Sequence, residues 1–390
     1  MIQILEDLKK AFTEKMGPGG EILSFFAPGR VNLIGEHTDY NGGHVFPCAL
    51  TVGTYGVARK RTDSKLRFYS MNFDELGIIE SDINDLSYKK EDDWTNYAKG
   101  VIWAFKEHGM TLDCGLDFAC VGNIPNKSGL SSSASLEILT CKVITDIFNF
   151  DVDGVLASKL GQYAENRFVG VNCGIMDQFA IAMGKAGHAV FLDTATLEYE
   201  YAPIDLAGYR IVIGNTNKVR RLEDSKYNER RSQCEAALAD IQTILPVKAL
   251  GELTPDDFDL VAYAIKDPVN MRRARHAVSE NQRTLRAVKA LQDRDLETFG
   301  RLMNASHVSL RDDYEVTGIE LDTLVETAWQ QEGVLGARMT GAGFGGCSVS
   351  IVREDCVDAF IENVGRAYKE RIGYAADFYV VEIGDGPKQL

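Results

Sequence analysis

Three features that would each define a class of protein are missing from this sequence. No apolar run approaches the roughly twenty residues needed to cross a bilayer, so no membrane-spanning helix is expected. The N-terminus lacks a basic stretch followed by an apolar core, so no secretory signal is visible. The eight cysteines include no C-x-x-C pair and no disulfide-like spacing, which favours a reducing cytoplasm.

Positive charge is also scarce. The chain has 57 acidic and 42 basic residues, a net charge of −15. Nonspecific binding to nucleic acid needs positive charge that displaces counterions, so this balance argues against such a partner. At 390 residues the chain exceeds the size at which a single core stops growing. A change of pattern near residue 205 predicts two domains, 1–204 and 205–390.

A glycine- and serine-rich stretch, Gly129 to Glu137, stands between a predicted strand and a predicted helix. The residues from Phe118 to Val121 are apolar, and those from Leu136 to Phe148 are apolar at spacings of three and four. Unpaired N–H groups and the helix dipole make such an N-terminus an anion site, where serine hydroxyls bind phosphate or a metal. Serines at this place are also ordinary helix caps, and the stretch alone fits both interpretations equally.

A second unusual segment, Ala27 to Gly43, combines charged side chains with glycines and a proline. Taken singly, Arg30 is typical of a salt-bridging residue and His37 of a hydrogen-bonded structural histidine. Together with Glu36 and Asp39 they supply the donors and acceptors that bind several hydroxyl groups. We expect a loop that holds a small polar ligand such as a sugar.

Two carboxylates follow on predicted helices. Glu165 lies near a buried face, and Asp177 stands beside the apolar residues Met176 and Phe179. In that setting Asp177 either has a raised pKa, or pairs with a cation, or is a first-turn carboxylate stabilised by the helix dipole.

The segment Gly341 to Gly346 formally matches the G-x-G-x-x-G dinucleotide motif. That motif follows a strand and opens a helix, whereas the residues from Cys347 to Val352 have a strand pattern. We therefore expect a glycine turn that packs closely against another backbone. One candidate for that backbone is the phosphate loop, which the turn would then cover.

Five segments of the chain occur in an order typical of one family. They are Ala27 to Gly43, Gly129 to Glu137, Asn172 to Phe179, Ser225 to Arg231 and Gly336 to Cys347. In these segments the sequence resembles the galactokinases of the GHMP small-molecule kinase superfamily, and the resemblance covers essentially the whole chain. The first segment separates galactokinases from mevalonate and homoserine kinases.

The resemblance implies a fold and an activity. The implied fold is α+β, a two-domain GHMP kinase fold with an N-terminal domain like domain 2 of ribosomal protein S5 and a C-terminal ferredoxin-like domain. The implied reaction transfers the γ-phosphoryl group of ATP to the anomeric hydroxyl of α-D-galactose, with Mg²⁺ as cofactor. It further implies a cytoplasmic monomer, with no nucleic-acid or membrane partner.

The resemblance also implies residue roles. Asp177 is the implied base, and Arg30 neutralises charge beside it. The implied sugar contacts are Glu36, His37, Thr38, Asp39, Gly174 and Tyr227. The implied ATP contacts are Ser70 and the phosphate loop, namely Lys127, Ser128, Gly129, Leu130, Ser131, Ser132 and Ser133. The implied magnesium ligands are Ser133 and Glu165.

One departure and two alternatives stay open. Lys127 stands where the family usually has glycine, and its side chain either contacts phosphate or points to solvent. The substrate could be a related sugar such as N-acetylgalactosamine or arabinose. A galactose and ATP sensor without turnover is the other alternative, although Ser133, Ala134, Arg30 and Asp177 are all retained.

Overall fold

The computed structural model describes residues 2–124, 130–218 and 223–390. Eleven α-helices lie in these ranges: α1 Ile2–Met16, α2 Thr95–Glu107, α3 Ser132–Phe148, α4 Gly154–Ala164, α5 Met176–Ala182, α6 Glu223–Ile241, α7 Pro255–Val261, α8 Pro268–Gln292, α9 Leu296–Asp312, α10 Gly318–Trp329 and α11 Val357–Ile372. Every helix in the described ranges is too short or too polar to span a bilayer.

The same ranges contain thirteen strands: β1 Leu23–Asn32, β2 His44–Val45, β3 Pro47–Lys60, β4 Lys65–Ser70, β5 Ile79–Asp82, β6 Leu116–Gly122, β7 His188–Asp193, β8 Tyr199–Pro203, β9 Tyr209–Asn215, β10 Val334–Thr340, β11 Cys347–Arg353, β12 Asp377–Val381 and β13 Lys388–Gln389. They form sheets of six, four and three strands, ordered β13-β1-β3-β6-β4-β5, β10-β11-β9-β12 and β2-β7-β8.

The six-stranded sheet is covered on both faces because its side chains alternate. Phe25 of β1 packs into a core with helices α2, α3 and α4, and the next residue, Phe26, packs on the other face. There α1 contributes Leu8 and Phe12. Its apolar residues recur at helical spacing, as the sequence predicts, and burying each such side chain contributes about 1.5–3 kcal/mol.

The four-stranded sheet has the ferredoxin-like arrangement. All of its pairs are antiparallel, and β9, β10, β11 and β12 take the order β12-β9-β11-β10. Helices α6 to α10 connect β9 to β10, and α11 connects β11 to β12. This is the β-α-β-β-α-β connection with extra helices inserted after the first strand.

The two halves of the chain share a hydrophobic core. Val31 and Leu33 pack in one cluster with Ile211 and Phe299. The final strand β13 also returns to the first sheet, where Phe25 pairs with Gln389. The predicted boundary between residues 204 and 205 stays a prediction, and a functional site between the halves would have groups from both.

The structure differs from the sequence expectation near the site. The segment from Ala27 was expected to be a loop, but β1 continues to Asn32 with a register shift between Pro28 and Arg30. Such a bulge tolerates proline and redirects the strand, which is why the turn-forming residues were misleading. Arg30 is therefore held on a strand rather than on a loop.

Candidate active site

A bidentate ion pair joins Arg30 on β1 to Asp177 in the first turn of α5. The Arg30 Nε and Nη2 atoms donate to Asp177 Oδ1 and Oδ2 over 2.9 and 2.8 Å. Arg30 is buried, and the Asp177 side chain is 31% exposed. A bidentate guanidinium–carboxylate pair fixes both groups, so Asp177 is held in one orientation. The sequence left three interpretations of Asp177 open, and the structure shows two of them together: Asp177 is a first-turn carboxylate and the partner of a cation.

The start of α3 reaches the same carboxylate. Ser131 precedes the helix with a φ of 60°, and its hydroxyl donates to Asp177 Oδ2 instead of capping the helix. The first helical serines, Ser132 and Ser133, are exposed and partly exposed. Ser131 is therefore not an ordinary side-chain cap, because its hydroxyl binds Asp177 instead of a backbone N–H of the helix.

The phosphate loop is described only in part. Lys127, Ser128 and Gly129 lie outside the described residues. Leu130 is buried, and its carbonyl accepts a hydrogen bond of 3.3 Å from the Arg30 backbone N–H. This bond attaches the end of the loop to the strand that carries Arg30.

Residues 35–39 are called the sugar segment here, because the resemblance implies that residues 36–39 contact the sugar. Glu36 is 1% exposed, and its Oε1 atom accepts a bond of 2.7 Å from the Gly341 N–H. Arg338 Nη1 lies 3.5 Å from the same oxygen. Burial raises the pKa of Glu36, while Arg338 and Arg30 act in the opposite direction.

His37 is held as a neutral ring with a defined tautomer. Burial, and then the neighbouring His276, lower its pKa to about 3. The Nε2 atom lies 3.2 Å from the Ala342 carbonyl, which only accepts, so Nε2 carries the proton. Nδ1 then accepts from the Tyr40 hydroxyl over 2.8 Å, and that hydroxyl lies 2.7 Å from the hydroxyl of Tyr314. The φ of His37 is +61°, an uncommon value that these contacts maintain.

Asp39 and Gly174 are packed closely against each other. A Cβ atom on Gly174 would lie 1.8 Å from Asp39 Oδ2, so this position requires glycine. The same oxygen accepts a bond of 3.3 Å from the Met176 N–H. Burial, and then the charge of Asp177, raise the pKa of Asp39 to about 6.

The other predicted sugar contacts differ in their surroundings. The ring of Tyr227 lies with its centroid 5.5 Å from those of His37 and Tyr40, so it borders the sugar segment. Thr38 is completely buried, and its hydroxyl lies 2.9 and 2.7 Å from the carbonyl oxygens of Gly35 and His44. Thr38 therefore has a clear structural role in shaping the turn.

Ser70 lies at the end of β4, away from the sugar segment. It is buried, and its side chain accepts from the Asn72 N–H. It pairs with Cys120 on β6, the strand that leads towards the phosphate loop. Ser70 therefore lies beside β6, the strand that precedes the phosphate loop in the sequence.

Glu165 lies where α4 passes into a π-helix, Glu165–Val169. Gln178 Nε2 donates to Glu165 Oε2 over 2.7 Å and to Glu137 Oε2 over 2.9 Å. Burial, and then the charge of Glu165, raise the pKa of Glu137 well above its ordinary value. Sequence reasoning missed both Gln178 and Glu137, although each lies inside a segment that carries the resemblance.

The residues expected to hold magnesium suit that ion chemically. Ser133 precedes Glu137 by one turn of α3, so the two share a helix face. Glu137 Oε1 is buried without a hydrogen-bond partner, and Glu165 is a neighbouring carboxylate. Among the described residues no cluster of three or more His, Cys, Asp or Glu side chains could hold a metal. Hydroxyl and carboxylate oxygens fit Mg²⁺, which takes few protein ligands and completes its shell with water and phosphate oxygens.

The glycine-rich turn between β10 and β11 binds the sugar segment. Its Gly341 N–H donates to Glu36, and its Ala342 carbonyl accepts from His37. Gly343 and Gly345 have φ values of +82° and +111°, which explains the need for glycine. The prediction that this is not a dinucleotide motif is confirmed, because a strand follows the turn.

Three family models match the chain. They are the galactokinase galactose-binding signature at residues 10–60, the GHMP kinase N-terminal domain at 96–185 and the GHMP kinase C-terminal domain at 287–370. The chain is 63% identical to a galactokinase of Ligilactobacillus salivarius, over 97% of this chain and 98% of the relative. It is 58% identical to a galactokinase of Clostridium beijerinckii, over 98% of each chain.

Solved structures agree with these matches. A Lactococcus lactis galactokinase complexed with galactose superposes with a TM-score of 0.98 at 52% identity, over 99% of this chain and 100% of that one. A Methanococcus jannaschii mevalonate kinase has a TM-score of 0.66 at 17% identity, over 94% and 99% of the two chains, which shows a shared fold. The predicted α+β GHMP kinase fold is confirmed.

Proposed function

The chain belongs to the galactokinase family of GHMP kinases, and we infer that it transfers the γ-phosphoryl group of ATP to galactose. The proposed acceptor is the anomeric hydroxyl of α-D-galactose, and the products are galactose 1-phosphate and ADP. The bidentate pair of Arg30 and Asp177, which is bound by Ser131 at the N-terminus of α3 and lies close to Asp39 of the sugar segment, carries this proposal.

In the proposed mechanism Asp177 receives the hydroxyl hydrogen of the sugar. Its carboxylate is fixed by Arg30 and by the Ser131 hydroxyl, so the bound hydroxyl has one acceptor in a constant position. Arg30 also offsets negative charge beside the transferring phosphoryl group. Phosphoryl transfer depends mainly on such positioning and charge neutralisation.

Sugar recognition is assigned to a ring of groups with different hydrogen-bonding properties. Glu36 and Asp39 supply carboxylate oxygens, while His37 and Tyr227 form an aromatic wall. Gly174 leaves room for Asp39 to approach. Groups that hydrogen-bond hydroxyls strongly discriminate against sugars in which one hydroxyl is absent or inverted.

ATP is assigned to the N-terminus of α3 and the loop before it, where unpaired N–H groups attract phosphate. Ser133 and Glu165 are the proposed magnesium ligands, with Gln178 holding the Glu165 carboxylate. The ion would supply neutralisation of the phosphate oxygens when bound. We expect a cytoplasmic monomer, as the resemblance to the family implies.

An ADP-release assay with magnesium and ATP tests the proposed function. The sugars are galactose, N-acetylgalactosamine, arabinose and glucose, and mevalonate serves as the control acceptor. We expect release with galactose and little with the others. Release with another sugar would change the substrate, and galactose binding without any release would indicate a sensor.

A further inference from the structure

The backbone of the sugar segment is bound by a buried carboxylate from the other half of the chain. Glu280 lies on α8 and is 0% exposed. Its Oε1 atom accepts from the backbone N–H groups of Gly35 and Glu36 over 3.0 and 3.3 Å, and from the Ser306 hydroxyl over 2.6 Å. The other oxygen accepts from Arg283 Nε over 2.8 Å. Both oxygens of Glu280 therefore accept hydrogen bonds.

His276, one turn earlier on α8, binds the same stretch of backbone. Its Nε2 atom lies 3.1 Å from the carbonyl oxygen of Glu36. Residues four apart share a helix face, so His276 and Glu280 approach the sugar segment together. The N–H of Glu36 is bound by one side chain and its C=O by the other, which fixes the orientation of this residue.

Both side chains have the protonation state that these bonds require. Burial alone would raise the pKa of Glu280, but the nearby charges of Arg283, His276 and Arg338 outweigh it and lower the pKa to about 2. Burial lowers the pKa of His276 to about 4. At neutral pH the Glu280 carboxylate is therefore charged and accepts from the backbone N–H groups. The His276 imidazole is neutral and donates to the Glu36 carbonyl.

The sugar segment needs external partners because its own conformation is irregular. Gly35 has a φ of +92°, and a Cβ atom there would lie 2.7 Å from the carbonyl oxygen of His44. His37 also has a positive φ. Buried backbone groups outside helices and sheets must be paired, and α8 supplies the partners for Gly35 and Glu36.

We propose that Glu280 and His276 are positioning residues for the galactose-binding segment, so that α8 of the C-terminal half sets galactose affinity while leaving ATP affinity nearly unchanged. This inference rests on the proposed function, since it assumes that residues 35–39 contact galactose. Neither residue touches the sugar in this scheme. Each acts through the backbone that orients Glu36, His37 and Asp39.

The test compares Glu280→Gln with a matched control, Asp117→Asn. Asp117 is also a carboxylate at about 1% exposure, held by Arg59, Arg61 and Arg67 in the six-stranded sheet, away from the sugar segment. Each change replaces a buried carboxylate with an amide of equal size. Calorimetry then gives the dissociation constants for galactose alone and for a non-hydrolysable ATP analogue with magnesium.

For Glu280→Gln we expect galactose binding to weaken by about tenfold or more, with ATP-analogue binding changed by less than about threefold. For Asp117→Asn we expect a lower melting temperature and no such selectivity. Equal losses of both ligands in the two variants, or unchanged galactose binding in Glu280→Gln, would overturn the inference.

A second variant, His276→Gln, serves if Glu280→Gln does not fold. The glutamine side chain places its N–H donor differently relative to the Glu36 carbonyl, while the Glu280 carboxylate is unchanged. We expect a smaller loss of affinity than in Glu280→Gln, again selective for galactose. Equal binding of both ligands by this variant and the unaltered protein would also overturn the inference. If the unaltered protein itself binds no galactose, the proposed function fails first, which is a result distinct from normal binding by both variants.

Discussion

Galactose binding should depend on pH through Asp39. Burial raises the pKa of this carboxyl group to about 6, so it is charged above that pH and protonated below it. A charged carboxylate accepts sugar hydroxyls, whereas a protonated one loses part of that capacity. Sugar affinity is therefore present above pH 6 and is lost as the pH falls through 6.

The size of the effect follows from the titration. If galactose binds only the charged form, its apparent dissociation constant is multiplied by 1 + 10^(pKa − pH), which is about 11 at pH 5, about 2 at pH 6 and about 1.1 at pH 7. A tenfold change in the dissociation constant between pH 5 and 7 is much larger than the uncertainty of a binding titration.

Calorimetric titration with galactose alone is the appropriate assay, because ATP has phosphate groups that titrate in the same range. Asp39→Asn is the control. Its amide has no charge to lose, so galactose binding should be weak and constant from pH 5 to 7.5. The reasoning would be refuted if the unaltered protein bound galactose equally at pH 5 and 7, or if Asp39→Asn kept the pH dependence.

Two substitutions separate sugar binding from phosphoryl transfer. Asp177→Asn should keep galactose binding within about threefold while turnover falls at least about a hundredfold, because an amide accepts a proton poorly; normal turnover would contradict the assigned role. Gly174→Ala introduces a Cβ 1.8 Å from Asp39 Oδ2, so Asp39 must move. The KM for galactose should then rise about tenfold or more with a smaller change in the KM for ATP, and an unchanged galactose KM would show that Asp39 is not a sugar contact.

Local patterns in the sequence were sufficient for much of the fold. The apolar spacing of α1 and α3 predicted both helices, since one buried face at a period of 3.6 is a local property. The strand status of Arg30 was not predictable in this way. Proline and glycine at positions 28 and 29 are typical of a turn, and only pairing with β3 keeps β1 extended through the bulge.

The candidate site was predictable where residues cluster along the chain or carry the family resemblance. Arg30 and Asp177 are 147 residues apart, and the residues alone left a cation partner for Asp177 as one of three interpretations. Glu280 and His276 had no such signal beyond their type, and Gln178 had none beyond its place in the Asn172 to Phe179 segment. A single polar residue on a helix is usually exposed, and its burial against a distant backbone is a tertiary property that local spacing does not encode.

The sugar contacts in residues 36–39 come from the first half of the chain, while the buried charges that support them come from the second half. Glu36 and Glu280 are both nearly or fully buried, and Arg338 and Arg283 lie against them. Removing one partner from such a set leaves an uncompensated charge, which costs about 3–5 kcal/mol. The set therefore assembles only when α8 and β10 are packed against the segment. We therefore expect the sugar segment to take its binding conformation only when the two halves are packed together, whereas the N-terminus of α3, which receives ATP in the proposed mechanism, belongs to the first half alone.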